Sequence, residues 1–294
     1  MLWEIVELAR SNEYDAIVFA GDLFHLKQAN RTSHSTVQRM IEVVQASPCD
    51  VYFVIGNHDI QHDRVESIYE TQPFGVVLKA GAHLLDGHAS GLPLYGVSWQ
   101  QHWDRDCSGE FERWREMDTD YAMHSLLVTH SPIYPPGQEL PWENIPASTI
   151  AKWMGNVGHC YYGHVHDLHG TFYVDGVTFC NQGALSRGSL HESDLTRRPA
   201  VTVWRSDVMG PAAFERIELK TAKPVDEVFR LAAAAERAGY AGRLEAFLAA
   251  VGSSSVEIAS IESVLANVRS MDLPDAVIGL AEEVLTLASH GELK

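Results

Sequence analysis

Four short motifs hold the residues of this chain best suited to chemistry: Gly21-Asp22-Leu23-Phe24-His25, Gly56-Asn57-His58-Asp59, Thr129-His130-Ser131 and Gly163-His164-Val165-His166. They supply carboxylates, an amide and several imidazoles, the oxygen and nitrogen donors that suit Mn²⁺, Fe²⁺ or Zn²⁺. A carboxylate such as Asp22 can give one oxygen to each of two cations and hold them about 3.5–4 Å apart, the spacing of paired-metal sites that hydrolyse phosphate esters. A lone histidine is more often structural than a ligand. Here His58, His130, His164 and His166 all stand just after apolar runs, and coincidence is a poor account of the four together.

The elements that must position these residues are legible around them. Ile17-Val18-Phe19-Ala20 leads into Gly21-Asp22, and Val51-Tyr52-Phe53-Val54-Ile55 into Gly56-Asn57-His58. Likewise Leu126-Leu127-Val128 precedes Thr129-His130, and Cys160-Tyr161-Tyr162 precedes Gly163-His164. Runs this short and apolar predict strands buried on both faces of a sheet. The motifs then fall at strand C-terminal ends, where open α/β sheets place their ligands.

Between the first strands, Leu2, Ile5, Val6, Leu8 and Ala9 form one apolar stripe, and Val37, Met40, Ile41 and Val44 another that ends before Pro48. Both have helical spacing, so the order is strand, helix, strand and the fold class α/β. Asp175-Gly176 between Gly170–Val174 and Val177–Cys180 predicts a tight hairpin. Val201–Trp204 and Phe214–Ile217 read as further strands, so the second half of the sheet is antiparallel or mixed. Beyond about residue 220 the chain turns Ala-rich and helical, with a break at Gly252-Ser253-Ser254-Ser255.

Composition narrows the classes. A chain of 294 residues with 46% hydrophobic content can bury one large α/β core plus a smaller appendage. No apolar run reaches membrane-spanning length and the N-terminal residues are acidic and helix-like, which predicts a cytoplasmic protein without membrane association. Cys49, Cys107, Cys160 and Cys180 are scattered, which suggests neither a zinc ribbon nor a disulfide framework. A net charge of -17 lowers the prior for unaided nucleic-acid binding, since phosphate backbones are held by Lys and Arg. Bound cations and a basic partner can offset that.

In their order, the motifs resemble those of the calcineurin-like metallophosphoesterases. The resemblance implies a four-layer sandwich, two mixed sheets flanked by helices, over residues 1–220, followed by a small helical domain over 221–294. It implies two divalent cations. Asp22, Asn57, His130 and His164 would hold the second, and Asp22 and His166 would serve the first. His58 would protonate the leaving oxygen, with Asp59 orienting or charging it. Gly-Asp-Leu-Phe-His further resembles the double-strand-break repair nucleases and SbcD-type exonuclease subunits, a likeness that covers about residues 1–205. It implies contact of His25 with the scissile phosphate, Mn²⁺ as activator, DNA as substrate, a coiled-coil ATPase as partner and a homodimer. Asn181–Arg187 resembles the Asn-Pro-Gly-Ser loop of that group, with Gln182 and Ala184 as departures and Arg187 within reach of a phosphate. Members normally begin with a strand ending in Asp-x-His, which would precede Met1. That predicts a start inside a longer reading frame, exposed strand edges and an incomplete first site. Two other readings stay open: a phosphoesterase acting on small molecules or nucleotides, and a non-catalytic metal-binding scaffold.

Overall fold

The chain opens on the first apolar stripe, which forms helix α1 (Leu2–Asn12) with Val6 and Ala9 buried and ends at Glu13 in a left-handed conformation. The structure is a computed structural model and describes residues 1–24, 32–61, 67–100, 107–111, 122–138, 142, 144–188, 192–229, 266, 269–270 and 278–279. Strand β1 (Ala16–Phe19) comes next, then α2 (His34–Ala46), whose first turn is capped by the Ser33 hydroxyl accepting from the Thr36 N–H. The cap satisfies a backbone donor that has no partner within the helix. Strand β2 (Asp50–Phe53), helices α3 (Ser67–Glu70) and α4 (Pro73–Lys79) and strand β3 (His83–Leu84) complete a first sheet of order β1-β2-β3, parallel throughout.

A second, six-stranded sheet takes β4 (Gly87–His88), β5 (Leu94–Val97) and β6 (Leu126–His130). After the short pair β7 (Ile133–Tyr134) and β8 (Ile145–Pro146) and helix α5 (Ala147–Met154), it adds β9 (His159–Gly163), β10 (Gly170–Val174) and β11 (Val177–Asn181). Its order is β10-β11-β9-β6-β5-β4, parallel at the centre and antiparallel at both edges. The predicted mixed character is thus present. The β10–β11 turn places Asp175 and Gly176 at φ 48° and 91°, the positive angles a two-residue hairpin requires. Strands β12 (Ala200–Trp204) and β13 (Phe214–Glu218) pair antiparallel beside it.

Three apolar clusters hold these elements together. Val51, Phe53 and Ile55 pack with Val6, Met40, Val43 and Val77 from α1, α2 and α4. Leu127, Cys160, Tyr162 and Phe179 of the large sheet pack with Ile150, Ala151 and Met154 of α5. Alternate residues of the same strands, Tyr52, Val54, Leu94, Leu126 and Val128, form a third cluster that Trp204 and Phe214 join. The alternation arises from the two-residue period of a strand, which sends successive side chains to opposite faces.

One expectation fails. The central strand β6 is buried at every residue, but all four residues of β1 are only half-buried. Among the described residues β1 has a strand neighbour on one side alone, so its other edge has no strand to cover it.

Two compact units divide the chain, Met1–Phe229 and Arg230–Lys294. The first runs past residue 220 because side chains tie that stretch down: the Glu4 carboxylate accepts from the backbone N–H of Lys220 and Thr221, and Arg187 donates to the Lys223 carbonyl. The expected helices of the C-terminal domain, and the Gly252–Ser255 break, lie almost wholly outside the described residues. No described helix is long and apolar enough to cross a membrane.

Candidate metal centre

Three loops and one strand end bring their side chains to one point. The loop after β1 supplies Asp22, the loop after β2 Asn57, the end of β6 His130, and the loop after β9 His164. The His130 Nε2 lies 3.3 Å from Asp22 Oδ2, 3.2 Å from Asn57 Oδ1 and 3.2 Å from His164 Nδ1, and that Nδ1 lies 3.2 Å from Asn57 Oδ1. The ligand atoms of Asp22, His130 and His164 all fall within 4.8 Å of one another. Bonds of about 2.0–2.2 Å to one ion put neighbouring donors about 3–3.5 Å apart, so these separations are those of a coordination shell.

The backbone is bent to make this convergence. Four described non-glycine residues have positive φ, and two of them, Glu13 and Asp175, sit at a helix end and in a hairpin turn. The other two are Asp22 at 53° and His164 at 80°, both in the cluster. Such angles cost free energy and persist where the surrounding structure enforces them. Gly21, at φ 92°, carries the chain past the His130 ring, and a Cβ there would collide with that ring. At Gly56 a Cβ would strike the Asp22 carboxylate, so both glycines are required by close approach.

Hydrogen bonds and burial prepare the donors. His130 Nδ1 donates to the Ala20 carbonyl at 2.7 Å, which fixes the ring with Nε2 directed at the other three donors. Burial opposes charge on this ring, but the Asp22 carboxylate outweighs it and raises the pKa, so a bound cation would take the place of the Nε2 proton. Burial opposes charge on the Asp22 carboxylate, yet His130 and the His58 N–H at 2.8 Å outweigh it and hold the group well below the usual carboxylate range. Burial and the charge of His130 push His164 down to about 4, so it presents a neutral ring. Lone pairs that face one another in this way gain most when a cation sits between them.

Asp59 is fully buried, and its carboxylate is taken up by backbone: Oδ2 accepts from Asp22 and Gly56 at 2.8 Å each, and Oδ1 from Leu23 at 3.0 Å. It clamps the first two loops together. Burial and the neighbouring Asp22 charge push this carboxyl up to about 7, against the pull of the N–H donors. His58, half-buried, stands near enough to Asp22 and His164 for its charge to act on both.

Not every predicted site residue joins the cluster. His166 is exposed and lies outside the donor group, though it lines the same cavity. His25 lies outside the described residues. The expectation that Arg187 reaches a phosphate meets a competing role: its guanidinium donates to the Arg197 carbonyl at 3.0 and 3.2 Å and to the Lys223 carbonyl at 2.6 Å. Three of the five donors of an arginine are thereby engaged in holding the chain.

Two further residues support the site: Asn181, which the sequence marked only as the start of the Asn181–Arg187 loop, and Trp99, which carried no signal there. Asn181, 2% exposed at the end of β11, donates to the Tyr162 and Val165 carbonyls and accepts from the Gly183 and His169 N–H groups. It therefore fixes the turn that carries His164 and His166. Trp99, just past β5, packs its ring on His164 and His130.

A cavity of about 870 Å³ leads to the donors. Every residue of Ala16–Ala20 and of Val201–Arg205 lines it, so β1 and β12 both present edges to it rather than faces. Asp22, His130, His164 and His166 are also among its lining residues.

No curated protein matches the chain. The family model for calcineurin-like phosphoesterases matches residues 1–168, more than half of the 294-residue chain, and spans all four motifs. The chain therefore belongs to the calcineurin-like phosphoesterases, whose domain hydrolyses phosphoesters with divalent metals.

Proposed function

We propose that this phosphoesterase is a metal-dependent phosphodiesterase that cleaves DNA. The observation that carries the metal reading is the convergence of Asp22, Asn57, His130 and His164 with coordination-shell separations. These four hold one divalent cation, and Asp22 and His166 contribute to a second, with Mn²⁺ as the activator. Such cations neutralise phosphoryl oxygens and lower the pKa of water enough to supply a nucleophile at neutral pH. The protein's own part is to fix the donors, align the scissile phosphate and deliver a proton. His58 donates that proton to the leaving oxygen, a task suited to an imidazole near neutral pH. Asp59 acts on it indirectly, by holding the Gly56–Asp59 loop against Asp22 and Leu23.

Support for DNA comes from the motif Gly-Asp-Leu-Phe-His, in which His25 contacts the phosphate. A coiled-coil ATPase partner would supply the basic track that a chain of charge -17 lacks, with the 221–294 domain as its docking element and a homodimer as the assembly. The three apolar clusters support the four-layer arrangement of helices, two sheets and helices. The acidic charge favours a second reading, hydrolysis of small phosphodiesters or nucleotides. The test is incubation of the purified chain and Mn²⁺ with duplex DNA, a cyclic nucleotide and a nitrophenyl phosphodiester. Cleavage of DNA supports the first reading, and cleavage of the small esters alone the second. Metal binding with no cleavage of any substrate would overturn both in favour of a scaffold.

A further inference from the structure

The two imidazoles of the donor cluster are held by different means. His130 is anchored through Nδ1 to the Ala20 carbonyl, whereas hydrogen bonds to the His164 ring among the described residues involve Nδ1 alone, the atom that faces the other donors. Among those residues no bond at the far side of the ring sets its plane. His164 also sits at φ 80°, on a turn rather than a regular strand. What lies against the ring is Trp99. Its centroid is 4.7 Å from that of His164 at an interplanar angle of 31°, and 6.0 Å from that of His130 at 68°. The two imidazoles meet each other edge to face, 5.1 Å apart.

Trp99 is itself firmly placed. Its backbone N–H donates to the Ile55 carbonyl at 2.8 Å, and the preceding Ser98 hydroxyl accepts from the Ile55 N–H at 3.3 Å. The loop after β5 is thus bonded to the end of β2, two residues before Asn57. The indole packs against two of the apolar clusters at once, so it cannot swing without disturbing both.

We infer that Trp99 is a positioning residue for the metal centre, which holds the His164 ring in the plane that directs Nδ1 at the cation. This rests on the metal reading proposed above. An imidazole free to rotate must be ordered at the moment a cation binds, and that ordering weakens the affinity. A ring already packed on a rigid indole has lost that freedom in folding. Groups that orient metal ligands from behind typically change affinity about 10–100-fold when removed.

The experiment is a titration of the full chain with Mn²⁺ alone, monitored through the electron paramagnetic resonance signal of the free ion. W99A should bind about 10-fold more weakly than the wild-type chain. W99F, which keeps a flat ring, should return to within about 3-fold, while W99L, which fills space without one, should resemble W99A. Thermal unfolding in EDTA separates loss of affinity from loss of fold, and if W99A does not fold, W99L against W99F decides the matter. A spectroscopic readout accompanies them: Mn²⁺ should quench tryptophan emission in the wild type, and part of that quenching should vanish in W99F. Wild-type affinity in both W99A and W99L, or equal weakness of W99F and W99L, would overturn the positioning role while leaving the metal reading intact. A wild-type chain that binds no Mn²⁺ would overturn the metal reading and this inference together.

Discussion

Asp22 follows a strand of one sheet and His130 ends a strand of the other, yet Asp22 Oδ2 and His130 Nε2 meet at 3.3 Å. The contact joins a loop that leaves an edge strand to the last residue of a buried central strand. If it marks a metal centre, D22N should weaken Mn²⁺ binding by about 100-fold or more, beyond the range seen for residues behind the ligands. Isothermal titration would show it, and an unaltered D22N affinity would remove Asp22 from the ligand set.

Asp59 should matter for stability more than its place beside His58 suggests. An amide at this position can accept the Asp22 and Gly56 N–H groups through its oxygen but must then point its own N–H groups at the N–H of Leu23. D59N should therefore leave the Leu23 N–H unpaired and destabilise the domain by about 1–3 kcal/mol, the usual penalty for an unsatisfied buried donor. Urea unfolding in EDTA measures this without any contribution from metal. A shift below about 0.5 kcal/mol would mean the clamp is dispensable.

Asn181 offers a parallel case on the other side of the site. N181A strands two carbonyls and two N–H groups in a buried turn, which should cost about 3 kcal/mol and loosen the loop of His164. Mn²⁺ affinity should fall with the melting temperature. A variant that melts earlier but binds normally would confine Asn181 to a structural role.

Stability should also depend on pH through His159. This residue is fully buried against Trp204 and Phe214, and burial pushes its imidazole below the ordinary value of 6.5. Above pH 6.5 the ring is neutral folded or unfolded, so it adds no pH dependence. Below that the unfolded chain takes up a proton that the folded chain refuses, and stability is lost as pH falls. H159F should flatten that part of the curve. Unfolding of both proteins at pH 7.5 and 5.5 checks it, and parallel losses in the two would refute it.

The sequence made the donors legible because a short apolar run followed by glycine, or by Thr129 in one case, and then a polar residue aims that residue at a strand end. It predicted α1, α2 and the Asp175-Gly176 hairpin for the same local reason, periodicity and turn chemistry. What stayed hidden depends on distant partners. The clamp at Asp59 exists only because the Asp22–Leu23 backbone folds over it, and Arg187 is engaged by carbonyls that only the fold brings near. The half-exposure of β1 could not be read from Ile17-Val18-Phe19, since side-chain type does not say how many neighbours a strand has.

If His58 delivers the proton as proposed, its removal should separate that step from metal binding. H58A should bind Mn²⁺ normally and lose about 10²–10⁴-fold in rate on a diester with a poor leaving group. A nitrophenyl diester, whose leaving group needs no proton, should be cleaved nearly as fast as by the wild type. Equal losses on both substrates would mean that His58 is not the acid.

The most direct test of the metal centre itself is X-ray absorption at the manganese edge on the Mn²⁺-loaded full chain. The geometry predicts oxygen and nitrogen neighbours with the outer-shell scattering of at least two imidazoles, one of which disappears in H164A. A spectrum without imidazole scattering, or one that H164A leaves unchanged, would contradict the assignment of Asp22, Asn57, His130 and His164 as the ligands.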